Sequence, residues 1–232
     1  MMHRLLIFFA FLLSIGLIAC KTDTTSKGTA ESELQRGTED FVKKNGTTMS
    51  AIIMPGETQL KWSGSKSGRT HKGYINIKEG RVKLSDDAIV GGSVIMDMKS
   101  LTVTDLKGEA KADLESHLMG MGSSNADDFF NVKKYPTSKF EITRIARLSN
   151  DENYDLLIYG DLTIKDVTKE IAFKASVNYE GSELIMSSEE FSINRTDWGI
   201  NFMSKSFFDN LKDRFIEDKV DLQFEMRATT SI

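Results

Sequence analysis

Cysteine is almost absent from this 232-residue chain: Cys20 stands alone, so neither an internal disulfide framework nor a Cys-rich zinc site can form. Proline is nearly as scarce, two residues in all, which excludes a proline-rich architecture. Histidine occurs three times, at His3, His71 and His117, without H-x-x-x-H, C-x-x-C or carboxylate–histidine spacing, so no metal site is expected. Neither charge dominates. With 30 Lys+Arg against 34 Asp+Glu the net charge is -4, too acidic and too even for a nucleic-acid footprint. No G-x-S-x-G occurs, and Gly64-Ser-Lys-Ser-Gly68-Arg-Thr70 fails as a phosphate loop: three residues separate its glycines, an Arg replaces the Lys, and a strand pattern follows. Using His71 with Asp97 or Asp197 as acid and base would still lack a nucleophile, so no enzyme and no cofactor are expected. His71 reads as a partly exposed or hydrogen-bonded structural histidine, and His117 as a solvated one on a helix. Long apolar runs are missing after residue 20, which leaves the first twenty residues as a separate problem.

Met1 to Arg4 carry a base and no acid, Leu5 to Leu13 are uninterruptedly apolar, and Ser14 to Cys20 end in small and apolar types. That stretch is too short and wrongly flanked to span a bilayer, so residues 1–19 read as a signal peptide. Leu17-Ile18-Ala19-Cys20 resembles a bacterial lipobox, which implies that Cys20 becomes an acylated N-terminus holding the chain to a membrane. Residues 20–48, rich in Thr, Ser, Lys, Glu and Gly, read as a flexible tether, with a short helix over Glu31 to Lys43 as the one regular element its pattern permits.

From Met49 to the end, residues 49–232, the pattern alternates apolar and polar with period two. Leu156, Ile158, Gly160, Leu162 and Ile164 share one face; Ile171, Phe173, Ala175 and Val177 another; Val220, Leu222, Phe224 and Met226 a third. Ile75 with Ile77, Val82 with Leu84, Val94 with Met96 and Met98, Phe140 with Ile142, and Phe191 with Ile193 repeat the rule. Turn signals at Glu79-Gly80, Ser85-Asp86-Asp87, Asn150 to Asn153 and Glu180-Gly181-Ser182 make most connections hairpins. Gly108 to Met119 predicts a helix with Ala110, Leu114 and Leu118 on one side, and Asp127 to Tyr135 a helical turn ended by Pro136. A third irregular stretch surrounds Trp198 to Asn210. The expected fold is all-β: an antiparallel up-and-down barrel of about eight strands with one or two short helices, because closure hides the apolar face and abolishes edges. A two-sheet sandwich satisfies the same periodicity.

Several short motifs occur in order along this domain. They are Trp62-Ser-Gly-Ser, His71-Lys-Gly73, Gly91-Gly-Ser with Ile95-Met-Asp97-Met-Lys-Ser-Leu101, and Asp128-Phe-Phe130 with Tyr135-Pro136. Phe140-Glu141, Gly160-Asp-Leu-Thr163-Ile164-Lys with Val167-Thr168, and Phe191 to Gly199 follow. Together they resemble the YceI-like family of bacterial envelope proteins over roughly residues 55 to 228. The resemblance implies an extended lipocalin-like barrel whose interior holds a polyisoprenoid or another long-chain lipid. It also implies a location in the bacterial cell envelope, facing the periplasm or on the outer membrane. Met119 to Ala126 departs from the pattern as a Gly- and Met-containing loop where a tighter connection is expected. The expected apolar lining is Trp62, Ile75, Ile77, Met96, Phe140, Ile142, Leu162, Ile164, Phe173, Phe191, Ile193 and Trp198, with His71, Lys72 and Arg195 as candidates for a ligand's head group. The competing reading fills the barrel with these same side chains and leaves function to the surface loops. Both a monomer and a homodimer are compatible with the sequence.

Overall fold

The computed structural model describes residues 48–230 apart from 87 and 123. The expected signal peptide, Cys20 and the expected tether as far as Thr47 lie outside the described residues. Eleven strands follow in order: β1 (Thr48–Ile53), β2 (Gln59–Lys66), β3 (Arg69–Ser85), β4 (Ala88–Asp97), β5 (Thr102–Val103), β6 (Thr137–Arg147), β7 (Leu156–Ile164), β8 (Val167–Glu180), β9 (Glu183–Ser188), β10 (Phe191–Asn194) and β11 (Ile216–Thr230). One α-helix, α1 (Gly108–Met119), lies between β5 and β6.

All pairings are antiparallel, and the order β2-β3-β4-β6-β7-β8-β9-β11 returns to β2, closing a ring of eight strands. The remaining three strands continue ring members past a break. β1 extends β2 beyond a 3-10 turn at Pro55–Glu57 and pairs with the far ends of β3 and β11. β5 extends β4 along β3, and β10 extends β9 along β11. The expected up-and-down barrel is therefore formed, with three of its eight positions interrupted.

Alternation decides which way each strand faces, since neighbouring side chains point to opposite sides. In β7 every second residue from Leu156 to Ile164 is buried, and in β11 Leu222, Phe224, Met226 and Ala228 are. Gly160 stands in the β7 row because Phe140 crosses it: a Cβ there would lie 2.4 Å from the Phe140 ring and 2.6 Å from the Glu141 carbonyl oxygen.

The two ends of the barrel differ. Among the described residues one carries only turns, at 86, 148–155 and 181–182, together with Thr48 and Thr230, and is sealed beneath by Ala51, Ile53, Leu84, Leu184 and Ala228. The other, the helical end, carries the β2–β3 turn, the long 98–136 connection with α1, the β7–β8 turn and the 195–215 loop. α1 ends at Gly120, whose left-handed φ of 69° lets its N–H reach back to the last carbonyls. The expected helical turn over Asp127 to Tyr135 is instead a run of hydrogen-bonded turns, such as Lys134 N–H and Tyr135 N–H to the Asn131 carbonyl; Asn131, at φ 47°, breaks the helical path.

Candidate functional site

The barrel encloses a cavity of about 280 Å³ towards its helical end. Its wall comes from inward rows: Leu60, Trp62 and Gly64 of β2, His71 and Ile75 of β3, Met96 of β4, Leu162 and Ile164 of β7, Ile193 of β10, and Val220 and Leu222 of β11. Leu114 and Leu118 of α1, with Phe129 and Phe130 behind it, form the cap. A second, dry space of about 50 Å³ lies deeper, and Leu60, Met96, Leu162 and Leu222 line both. An aromatic group lines the deeper space: Phe173 stacks on Phe191 with centroids 4.7 Å apart and tilts against Phe140 at 5.5 Å.

The width of the larger cavity has a local cause. Gly64 pairs with Val220 on one side and His71 on the other, so all three belong to one inward row. A Cβ on Gly64 would meet nothing within 4 Å. The missing side chain is an unfilled part of the wall.

Polar groups gather at the rim. His71 Nδ1 lies 2.8 Å from Asp105 Oδ2, and Asp105 Oδ1 accepts the Lys72 N–H at 2.9 Å. Burial acts to raise the Asp105 carboxyl, yet the hydrogen bonds from Lys72 N–H and His71 outweigh it and hold the group below its ordinary value. His71 thus pairs with neither Asp97 nor Asp197. Arg195, 4% exposed, is a buried rivet and not the exposed strand charge its position suggests. Its guanidinium donates to the carbonyls of Glu217 (3.0 Å), Ile200 (2.6 Å) and Ile216 (3.0 Å) and to Asp218 Oδ1 (3.1 Å). Burial lowers the Arg195 guanidinium from its ordinary value, with Asp218 opposing. Asp218 also accepts the Ser204 and Ser206 hydroxyls, fixing the 200–215 loop to the rim.

Of the residues expected to line the interior, Trp62, Ile75, Met96, Leu162, Ile164 and Ile193 border the larger cavity, while Phe140, Ile142, Phe173 and Phe191 border the deeper one. Ile77 is packed in the core beside them and borders neither. Trp198 is 2% exposed and donates its indole N–H to the Leu162 carbonyl at 3.0 Å, bracing the wall from outside the cavity. Lys72, one residue from inward His71, lies on the outer face. His117, expected in solvent, instead bonds Asp128 at 2.9 Å and meets Phe129 and Phe202 edge-on, at 5.2 and 5.1 Å. Leu101, Leu114, Leu118, Phe129, Phe130 and Gly64 are lining residues that strand periodicity did not mark. The Trp62 indole N–H is buried without a hydrogen-bond partner in the protein. Among the described residues no group of three His, Cys, Asp or Glu side chains is placed to hold a metal ion.

A closed eight-strand meander around an apolar hollow defines the class: a β-barrel with room for a slim guest. The YceI-like domain model matches residues 52–228, and the chain belongs to that family. Among curated relatives, a UPF0312 protein of Pseudomonas putida strain F1 is 45% identical over 56 residues, 24% of this chain and 28% of that protein. A UPF0312 protein of Shewanella denitrificans is 30% identical over 111 residues, 48% of this chain and 51% of that protein. The chain thus matches between about a quarter and a half of the length of these relatives. Burkholderia cenocepacia BcnA superposes with a TM-score of 0.56 at 17% identity, covering 76% of this chain and 99% of BcnA. A polyisoprenoid binding domain from Saccharophagus degradans, implicated in plant cell wall breakdown, superposes with a TM-score of 0.52 at 11% identity, covering 80% of this chain and all of that one. At these identities the likeness is one of fold.

Proposed function

We propose that this barrel binds one long-chain, largely apolar lipid of the polyisoprenoid type and holds it for storage or transfer in the bacterial cell envelope, tethered there through acylated Cys20, without making or breaking a bond. The observation that carries the reading is the cavity: about 280 Å³, walled by apolar side chains and left open at Gly64. Natural cores fill such gaps, because empty space forfeits packing energy at roughly 24 cal/mol per Å³. A guest recovers it, at about 0.8 kcal/mol for each methylene withdrawn from water. The polyisoprenoid binding domain of S. degradans, similar in fold, supports the choice of chemistry. The partnerless Trp62 N–H adds a preference for a guest with an acceptor oxygen, since an unmet buried donor costs about 1–3 kcal/mol.

The test is native mass spectrometry of the full chain expressed in a bacterial envelope, followed by organic extraction. A discrete adduct of isoprenoid mass, lost on extraction, is expected. A folded, adduct-free protein that takes up no added isoprenoid alcohol overturns the proposal and leaves a barrel filled by its own side chains.

A further inference from the structure

The 195–215 loop carries an exposed apolar pair: Phe207 and Phe208 are 56% and 50% exposed, the two most exposed large apolar side chains among the described residues. A globular chain has no internal reason to hold two adjacent aromatic rings in water, and the loop is not loose there. Both N–H groups bond the Ser204 carbonyl, at 3.2 and 2.9 Å, and Ser204 is bound to Asp218 beneath. The rings are therefore presented by a loop fastened to the cavity rim, since Asp218 also holds Arg195, which borders the cavity.

Charge around the pair has one sign in excess. Lys205, Lys212 and Arg214 share the loop, and Lys66 and Arg69 flank the β2–β3 turn that Ser67 ties to the loop through the Asp213 carbonyl. With Arg195 the two segments hold six bases against Asp197, Asp209 and Asp213, an excess of 6 - 3 = +3, and the 98–136 connection (five Lys, six Asp or Glu) with the Lys165-Asp166 turn leaves this end at 3 - 1 + 0 = +2, on a chain whose net charge is -4. The opposite end is reversed: its described connections hold Asp86, Asp151, Glu152 and Asp155 and no Lys or Arg. The barrel is thus polarised along its axis, with apolar rings and bases together at the end where the cavity lies.

We infer that this end seats on an anionic bilayer surface, with Phe207 and Phe208 inserted among the acyl chains and Lys66, Arg69, Lys205, Lys212 and Arg214 against lipid phosphates. Aromatic rings set among bases are the pattern of interfacial membrane contact. A protein partner explains the rings equally, but not their position on the rim of an apolar cavity. The surface and its charge stand on their own; its use in passing a chain between bilayer and cavity rests on the lipid-binding reading above. An anchor at Cys20 permits the pose. The 27 residues from Lys21 to Thr47 reach up to ~90 Å at ~3.4 Å each, whereas the 15 residues of β11 measure ~50 Å, so the barrel can turn its far end to the membrane that holds it.

The experiment is co-sedimentation of the chain from Lys21 onward, which lacks any acyl group but contains every residue described, with phosphatidylcholine vesicles with or without phosphatidylglycerol. Binding to the anionic vesicles is expected, falling as salt rises. The variant Phe207→Ser/Phe208→Ser should bind at least tenfold more weakly with unchanged melting temperature, and Lys212→Gln/Arg214→Gln about fivefold more weakly per charge. Phe208→Trp should show blue-shifted emission on adding anionic vesicles. No vesicle binding, binding indifferent to the Phe pair, or concentration-dependent self-association in place of vesicle binding overturns the inference. Lipid extraction is a separate readout: vesicle binding by a protein that yields no extractable guest and takes up no added isoprenoid alcohol removes the carrier reading and leaves the docking surface standing.

Discussion

Gly64→Ile separates ligand binding from folding, because the two respond with opposite sign. Position 64 lies between Val220 and His71 in an inward row, its Cβ meets nothing within 4 Å, and it borders the 280 Å³ cavity. Four added carbons, at roughly 30 Å³ per water-sized group, remove on the order of 120 Å³, close to half of that space. A guest displaced by four methylenes loses about 3 kcal/mol, which is a rise of more than a hundredfold in Kd. The ligand-free barrel should gain instead. Replacing a strand glycine relieves about 0.5–1 kcal/mol of backbone entropy, and a β-branched residue suits an extended strand. The assay is a pair: titration with an isoprenoid alcohol and guanidinium denaturation of delipidated protein. If Gly64→Ile binds as tightly as the wild type, the guest does not occupy the cavity, and the reasoning from Gly64 fails whatever the stability result.

Three further outcomes follow from the same packing. Gly160→Val should lower stability by about 1–3 kcal/mol in a guanidinium melt, because its Cβ would meet the Glu141 carbonyl as well as the Phe140 ring and backbone cannot yield; a neutral result would mean that β6 and β7 part easily. Arg195→Met should cost about 3 kcal/mol, or roughly 6–12 °C in Tm, by orphaning the Ile200, Ile216 and Glu217 carbonyls and Asp218; a loss under about 1 kcal/mol would show that the rim does not depend on this residue. Asp105 has a folded-state pKa below its ordinary value of about 3.8, so the unfolded chain binds its proton more readily and stability rises with pH through that range. Asp105's contribution is complete above 3.8 and vanishes as pH falls through the depressed folded value. Asp105→Asn, which keeps both hydrogen-bond positions, should therefore be less stable than wild type at neutral pH and converge with it in acid; a constant gap across pH would refute the charge argument.

Much of this was legible in the chain, and the illegible parts share a cause. Period-two runs such as Val220 to Met226 identified strands and their inward faces, because burying one side of a sheet leaves no other pattern. The same parity separated His71 from Lys72: with Ile75 and Ile77 inside, residue 71 faces in and residue 72 out. Gly64 was equally readable from Trp62, two residues before it, but a glycine carries no apolar signal and so passed unmarked. The breaks at Pro55–Glu57, Met98–Ser100 and Glu189-Glu190 were not readable, since each depends on how a long strand meets neighbours remote in sequence. Trp198 illustrates the limit: whether its indole faces a guest or braces a wall depends on the Leu162 carbonyl, 36 residues away.

The closed ring also restricts how a guest can enter. Ring strands are joined by backbone ladders along most of the wall, and parting one exposes a row of hydrogen bonds at once, but towards the helical end β5 pairs only with β3 and β10 only with β11, so among the described residues no ladder joins β5 to β6 or β10 to β8. The turn end is sealed by Ala51, Ile53, Leu84, Leu184 and Ala228, each no more than 1% exposed. The helical end is closed differently. No residue of α1 is fully buried, but Leu118 and Met119 pack against the core, their carbonyls accept the Phe130 and Val132 N–H groups, Glu115 accepts the Val103 N–H, and His117 bonds Asp128 and meets Phe129 and Phe202 edge-on. Displacing α1 breaks these contacts but no sheet ladder, whereas an opening between ladder-paired strands disrupts the sheet. Leu60, Met96, Leu162 and Leu222 line both the larger cavity, where the Gly64 row lies, and the deeper space bordered by Phe140, Phe173 and Phe191. Under the proposed lipid binding, how far a guest reaches from the larger cavity into the deeper space depends on how far these four side chains, three leucines and one flexible methionine, give way.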